Sequence, residues 1–269
     1  MEYSQDLKHT WNQASSPLAV RRLNPTRADG TAPEFLWLGG FRSDMTGTKA
    51  QTMVDHCAAH GWGATRFDYS GHGVSGGAFV DGTLSRWCDE GLTVLRSVTS
   101  GPQVLVGSSM GGWIALLMAR ALQAAREMER IAGLLLIAPA PDFTETLMKP
   151  AFTEAQRALL ASQGYIEEES AYSDEPTVIT KALIEDGARN LVLDAKLRFD
   201  VPIAILQGME DPDVPHTHAL GLLHALHQDN VTMTLIKDGD HRLSRPQDLA
   251  LLAQTMDRIA SSFVGSTGT

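Results

Sequence analysis

Gly107-Ser108-Ser109-Met110-Gly111-Gly112 is the segment of this chain best suited to covalent chemistry. It follows the apolar run Val104 to Val106 and precedes a helical pattern starting at Met110, so it reads as a tight strand-to-helix turn of the form G-x-S-x-G. Flanking glycines leave room for the strained backbone that lifts a serine hydroxyl clear of a sheet. Centring the pattern on Ser109 puts Gly107 and Gly111 in the required places, whereas centring it on Ser108 puts Val106 and Met110 there. Ser109 is therefore the candidate nucleophile. A serine hydroxyl is almost wholly protonated at neutral pH, so it needs a base to take its proton and an acid to hold that base in the right tautomer. On such a turn the partners follow in the order Ser, Asp or Glu, His, each from a loop at the carboxyl end of a strand. Gly208-Met209-Glu210-Asp211-Pro212-Asp213 follows the apolar run Pro202 to Leu206, and Lys237-Asp238-Gly239-Asp240-His241 follows Val231 to Ile236. Asp211 is the acid this selects, and His241 the base.

Competing residues are weighed by the same order and placement. Asp213 stands two residues from Asp211, and Asp142 follows the apolar run Gly133 to Ile137, so both remain alternatives for the acid. Asp238 and Asp240 lie beside His241 on one loop and read as turn-forming or solvated residues. His72, in Gly71-His72-Gly73, precedes Ser109 and fails the order test, while His56, His60, His224 and His227 fall in helical patterns and read as solvated or partly packed. A metal pattern could be drawn from His216-x-His218 with His224-x-x-His227, but those four would spread around a helix of Leu220, Leu222, Leu223 and Leu226. No metal and no cofactor are expected. A developing oxyanion needs two preorganised donors. The first is the N–H of Met110, directly after the nucleophile; the second is the N–H of Phe41, from the loop Leu38-Gly39-Gly40-Phe41.

The elements that must position these residues alternate along the chain. Apolar runs at Phe35 to Leu38, Ala64 to Phe67, Val104 to Val106, Gly133 to Ile137, Pro202 to Leu206 and Val231 to Ile236 read as strands closed by turn residues. Helical spacing covers Thr48 to His60, Thr83 to Val98, Met110 to Ala125, His216 to His227 and Pro246 to Phe263. This alternation predicts an α/β fold: a mostly parallel, doubly wound sheet with helices on both faces. One segment breaks the rhythm. From Pro141 to about Phe199 no strand is expected, Pro150 and Pro176 interrupt, and acids cluster at Glu167-Glu168-Glu169 and Asp174-Glu175. At that length it reads as a helical lid insertion, about 141–199, within one domain spanning 1–269. Phe143, Leu147, Met148 and Phe152 give it an apolar side, of which the first three are candidates for substrate contact. The tail Gly265 to Thr269 is expected to fray.

Composition narrows the class of partner. The 269 residues carry 22 Lys and Arg against 32 Asp and Glu, a net charge of −10 with no basic patch, which disfavours nucleic acid and anionic lipid. Two cysteines, Cys57 and Cys88, stand apart inside helical patterns, so neither a disulfide framework nor a Cys-x-x-Cys site is expected. Acids near the N-terminus, no apolar h-region after them and no apolar run near the roughly 20 residues of a membrane span predict a cytoplasmic protein without stable membrane insertion. The expected partner is a small molecule.

Gly39-Gly40-Phe41, Asp68-Tyr69-Ser70-Gly71-His72-Gly73-Val74-Ser75-Gly76, the turn around Ser109, Gly208 to Pro215 and the His241 loop together resemble the α/β-hydrolase superfamily, in the same order and over nearly the whole chain. Ser43 to Ala50, Arg66 to Gly71 and Gly101 to Trp113 are similar to the branch known as mycophenolic acid acyl-glucuronide esterase, also described as a palmitoyl-protein thioesterase. That resemblance implies hydrolysis of an oxygen ester or thioester through an acyl-enzyme. The superfamily's common His-Gly before the oxyanion residue is Gly39-Gly40 here, and its common His before the nucleophile is Ser108, so only backbone donors remain at those places. Cleavage of a carbon-carbon bond, a peptide or a peracid is the alternative within the fold, and a non-catalytic binding role the alternative outside enzymology. The acids of the insertion are expected to border the pocket entrance and to disfavour polyanionic substrates such as acyl-coenzyme A.

Overall fold

Strands buried on both faces need continuous apolar runs, and the runs in the middle of this chain supply them. The computed structural model describes residues 2–11, 14–26, 32–169 and 176–266. In chain order it contains the strands β1 (Glu2–Trp11), β2 (Ala14–Leu23) and β3 (Glu34–Leu38), then helix α1 (Thr48–His60), β4 (Ala64–Phe67), α2 (Leu84–Val98), β5 (Gln103–Ser108), α3 (Met110–Ala125) and β6 (Ile131–Ile137). An excursion follows: a π-helical turn (Thr144–Met148), α4 (Lys149–Ala151), α5 (Glu154–Gln163), β7 (Tyr165–Glu168), β8 (Thr177–Thr180) and α6 (Lys181–Arg189). The chain then returns through β9 (Ile203–Gly208), α7 (His216–Ala225), β10 (Val231–Ile236) and α8 (Pro246–Ser266).

Eight strands form the main sheet in the order β1-β2-β4-β3-β5-β6-β9-β10. From β4 to β10 every pairing is parallel, while β2 runs antiparallel to both β1 and β4. Strands β3, β4, β5, β6 and β9 are buried along their whole length, and β10, at the edge, is not. Helices α1 and α8 cover one face, where Met53, Val54 and Cys57 join Leu252, Met256 and Ile259 in one core. On the other face α2, α3 and α7 bring Trp87, Trp113 and Leu222 into a second core. Both cysteines are free and buried. Burial pushes the Cys88 thiol up to about 12 and the Cys57 thiol higher still. Among the described residues no helix is long and apolar enough to cross a membrane.

Two features depart from the sequence pattern. The hairpin β1–β2 carries no apolar signal in its first strand, whose side chains are mostly exposed on both faces, so periodicity does not mark it. Within 141–199, where no strand is expected, β7 and β8 pair as an antiparallel hairpin. Only Ile166 and Ile179 of these strands are buried, too few to make a period-2 pattern; they pack with Phe152 and Ile184 as a small separate cluster. Helix α8 runs to Ser266, and Asp174, Glu175 and the tail beyond Ser266 lie outside the described residues.

Candidate active site

Ser109 sits between the end of β5 and the first turn of α3 with φ 55° and ψ −119°, a left-handed conformation that L-residues rarely adopt. The glycines around it are there because the backbone crowds. A Cβ on Gly107 would meet the carbonyl oxygen of Gly111 at 2.3 Å, and one on Gly111 would meet that of Leu38 at 2.0 Å, so α3 can start this close to β5 and β3 only without side chains. The Ser109 Oγ stands 3.1 Å from the Nε2 of His241.

His241 and Asp211 come from the loops after β10 and β9, neighbouring strands of the sheet. His241 Nδ1 lies 2.8 Å from the Oδ2 of Asp211. The other carboxylate oxygen accepts the N–H groups of Asp213 (2.9 Å) and Val214 (2.8 Å), and the Gln207 amide donates to Oδ2 at 3.2 Å. Burial pushes the Asp211 carboxyl up, but the hydrogen bond and charge of His241, with those two backbone N–H groups, outweigh it and hold it below the usual carboxylate range. The chain of contacts from Ser109 through His241 thus ends on a buried, ionised acid.

The competing acids have other partners. Asp142, buried and at φ 57°, accepts the backbone N–H groups of Val192 and Leu193, which ties the two ends of the excursion together. Asp213 is exposed beside Asp211 and His241. Asp240 accepts the N–H of Leu243, and Asp238 pairs with Arg245, in keeping with turn-forming roles. Of the histidines on and after α7, His224 and His227 are exposed, while His218 turns its Nε2 to the carbonyl oxygen of Pro141 at 2.7 Å.

The loop carrying Phe41 passes directly over the nucleophile: a Cβ on Gly40 would lie 3.4 Å from both the Ser109 Cβ and the Ser108 carbonyl oxygen. The Phe41 ring is held edge-on by Phe79, Trp87 and Phe143 at centroid distances of 5.0, 6.2 and 5.8 Å. The next residue, Arg42, has φ 57° and donates its N–H to His72 Nε2 at 3.2 Å. His72, set aside by chain order, thus reaches the site from behind this loop. Its imidazole is buried, which lowers its pKa to about 4 and keeps the ring neutral. Only the motif Gly71-His72-Gly73 signals this residue in sequence; its role as an acceptor depends on a loop 30 residues away.

Two cavities meet at Ser109 and His241. One, of about 450 Å³, is lined by Phe41, Phe143, Leu147, Met148, Ile179 and Val214, with Glu168 and Glu169 also on its wall. The other, of about 420 Å³, is bordered by Arg42, Asp44, Lys49 and Arg242. Lys49 donates to the Arg242 carbonyl oxygen, next to His241. Burial lowers the Lys49 ammonium to about 8, against the opposing pull of Asp240. Of the described acids of the insertion, Glu168 and Glu169 thus line the apolar cavity, while the second cavity is bordered by three cations and one acid, a division of charge that composition does not reveal.

The family described as the alpha/beta hydrolase family matches residues 20–252 of this chain. The chain is 32% identical over 248 residues to the mitochondrial palmitoyl-protein thioesterase ABHD10 of Mus musculus, covering 91% of this chain and 80% of that protein. Among solved structures it is similar to a putative hydrolase from Agrobacterium vitis S4, with 47% identity, a TM-score of 0.92 and coverage of 97% of this chain and 99% of the other. It is also similar to the alpha/beta hydrolase domain-containing protein 10 from mouse, with 29% identity, a TM-score of 0.82 and coverage of 96% and 99%.

Proposed function

Because the chain belongs to the alpha/beta hydrolase family, we propose that it hydrolyses a carboxylic ester or thioester through an acyl-enzyme formed on Ser109, with His241 as general base and acid and Asp211 as the group that orients it. The observation that carries this reading is the unbroken contact path, 3.1 Å from Ser109 Oγ to His241 Nε2 and 2.8 Å from His241 Nδ1 to Asp211. Ser109 Oγ attacks the acyl carbonyl carbon while its proton passes to His241 Nε2. The carbonyl π electrons move onto oxygen, and the oxyanion is met by the N–H groups of Phe41 and Met110. When that intermediate collapses, the bond to the leaving oxygen or sulfur breaks, and His241 gives its proton to the departing alcohol or thiol. Water then attacks the acyl-Ser109 carbonyl, its proton going to His241. A second collapse frees the carboxylic acid and returns the proton to Ser109, so that one water is consumed per bond cleaved.

Placement of the acyl group follows from the two cavities. The wall of Phe143, Leu147 and Met148 suits an apolar acyl chain, which leaves the second cavity for the alcohol or thiol portion. A palmitoyl thioester, the substrate type in the name of the mouse relative, fits that division. Two free, buried thiols support a reducing compartment as the working environment.

The test is Ser109→Ala against p-nitrophenyl esters and acyl-thioesters of graded chain length, with labelling by a fluorophosphonate. We expect turnover to fall about a million-fold, the scale of nucleophile loss in serine hydrolases, and labelling to vanish. Retention of either in the variant overturns the reading.

A further inference from the structure

On the face of the sheet opposite the aromatic cluster around Phe41, α1 and α8 bring together side chains that the proposed hydrolysis does not use. His56 and His60, four residues apart on α1, share one face of the helix, and Asp257 on α8 faces them. His56 Nε2 lies 2.7 Å and His60 Nε2 3.8 Å from the same carboxylate oxygen, Asp257 Oδ1. The two imidazole centroids are 4.2 Å apart. We infer that His56, His60 and Asp257 form a binding site for a divalent transition-metal ion of the zinc, nickel or copper kind, held through the two Nε2 atoms and the carboxylate.

Geometry, tautomer and support point the same way. Two ligands each about 2.1 Å from an ion at a near-tetrahedral angle stand about 3.4 Å apart. The observed separations of 2.7 and 3.8 Å fall on either side of that value, so small side-chain rotations suffice to admit the ion. His60 Nδ1 is 2.9 Å from the His56 carbonyl oxygen, which can only accept; Nδ1 therefore carries the ring proton and Nε2 presents its lone pair. The proton between His56 Nε2 and Asp257 is released when the ion takes its place. Trp62 stacks on the His60 ring at 4.7 Å and meets the His56 ring edge-on at 5.7 Å, which limits both rings to this side. The turn that carries them is closed: Gly61, at φ 69°, and Trp62 donate their N–H groups to the carbonyls of Ala58 and Cys57. With His60 and Asp257 42% and 47% exposed, water reaches the remaining coordination positions.

Such an ion would staple α1 to α8. Its ligands His56 and His60 stand about 10 and 16 Å along α1 from Lys49 at the second cavity, so its effect is on stability rather than on the reaction. The probe is zinc sulfate added to protein stripped with a chelator and desalted, read by calorimetric titration, by thermal unfolding, and with copper or nickel by quenching of tryptophan fluorescence. The expected result is one zinc per chain, a melting temperature that rises with zinc, and affinity about tenfold or more weaker in both His60→Gln and Asp257→Asn, with ester turnover unchanged. Using both exposed positions keeps the test valid if one variant folds poorly. Asp211, Asp213 and His241 also bring three ligand atoms together. Zinc binding that survives His60→Gln and Asp257→Asn but is lost in Asp213→Ala, or no binding at all to the folded wild-type chain, overturns the inference.

Discussion

His72 holds an arrangement that only a neutral ring permits, with Nδ1 3.2 Å from the Ser70 carbonyl oxygen and Nε2 accepting from Arg42 N–H. Its pKa is about 4 when folded and 6.5 when unfolded, so the unfolded chain binds the extra proton first on acidification. Stability from this residue is complete above pH 6.5 and is lost as pH falls towards 4. Urea midpoints of the wild type should decline across that window more than those of His72→Ala. Through the loop carrying Phe41, the proposed oxyanion donor, the same substitution should also lower kcat about tenfold or more, with a smaller change in KM, because a displacement near 1 Å at such a donor is costly. The proposed orienting acid is separable from its competitor at this scale too. Asp211→Asn should reduce kcat about ten-thousand-fold, as loss of the orienting carboxylate does in serine proteases. Asp142→Asn instead leaves a side chain that can still accept from Val192 and Leu193, so its kcat should stay within a few-fold of wild type. Equal losses in the two variants would remove the distinction.

Among the elements, those with a buried stripe or a continuous apolar run are legible in the sequence. The spacing Thr48 to His60 returns as α1 with the same bounds, and Met110 to Ala125 as α3, because each helix has a wide apolar side and a left-handed residue, Gly61 or Arg126, just past its end. Thr83 proved to be the cap before α2 rather than its first residue: its hydroxyl accepts the Arg86 N–H. The hairpins β1–β2 and β7–β8 are not legible: β1 leaves most of its side chains exposed, β2 buries the polar Ser16 and Arg22 along with Leu18 and Val20, and β7 and β8 bury only Ile166 and Ile179. Turn chemistry and chain order single out Ser109, Asp211 and His241, and the fold brings these three within hydrogen-bond distance of one another in series, whereas the partnership of His72 with Arg42 joins segments whose meeting no local pattern encodes. Asp142 shows the price of that limit: an acid at the end of β6 fits the sequence rule, yet it serves as the clasp of the excursion. Asp142→Ala should cost about 1–3 kcal/mol by freeing two backbone N–H groups, measurable by chemical denaturation.

Over the whole molecule the charge of −10 gives only an average, and the two cavities at Ser109 depart from it in opposite directions. Glu168 and Glu169 sit on the wall of the apolar cavity, so on the proposed placement of the substrate the repulsion expected of the insertion would act on its acyl end rather than on its leaving group. An acyl chain ending in a carboxylate should be the disfavoured one. In Glu168→Gln/Glu169→Gln, kcat/KM for the p-nitrophenyl monoester of a dicarboxylic acid should rise about two- to fivefold at low salt, with no change for a monocarboxylic ester of equal length. The rise should fade in high salt; a salt-independent gain on both esters would point to a change of shape instead. The placement of Cys57 and Cys88 has a further consequence for such measurements. A thioester readily passes its acyl group to any accessible thiolate, but here both sulfurs are buried and held protonated. The folded chain therefore offers no sulfur to compete in acyl exchange. No acyl mass retained on the intact protein during turnover should be a thioester, and the decay of the ester on Ser109 should carry no background from cysteine.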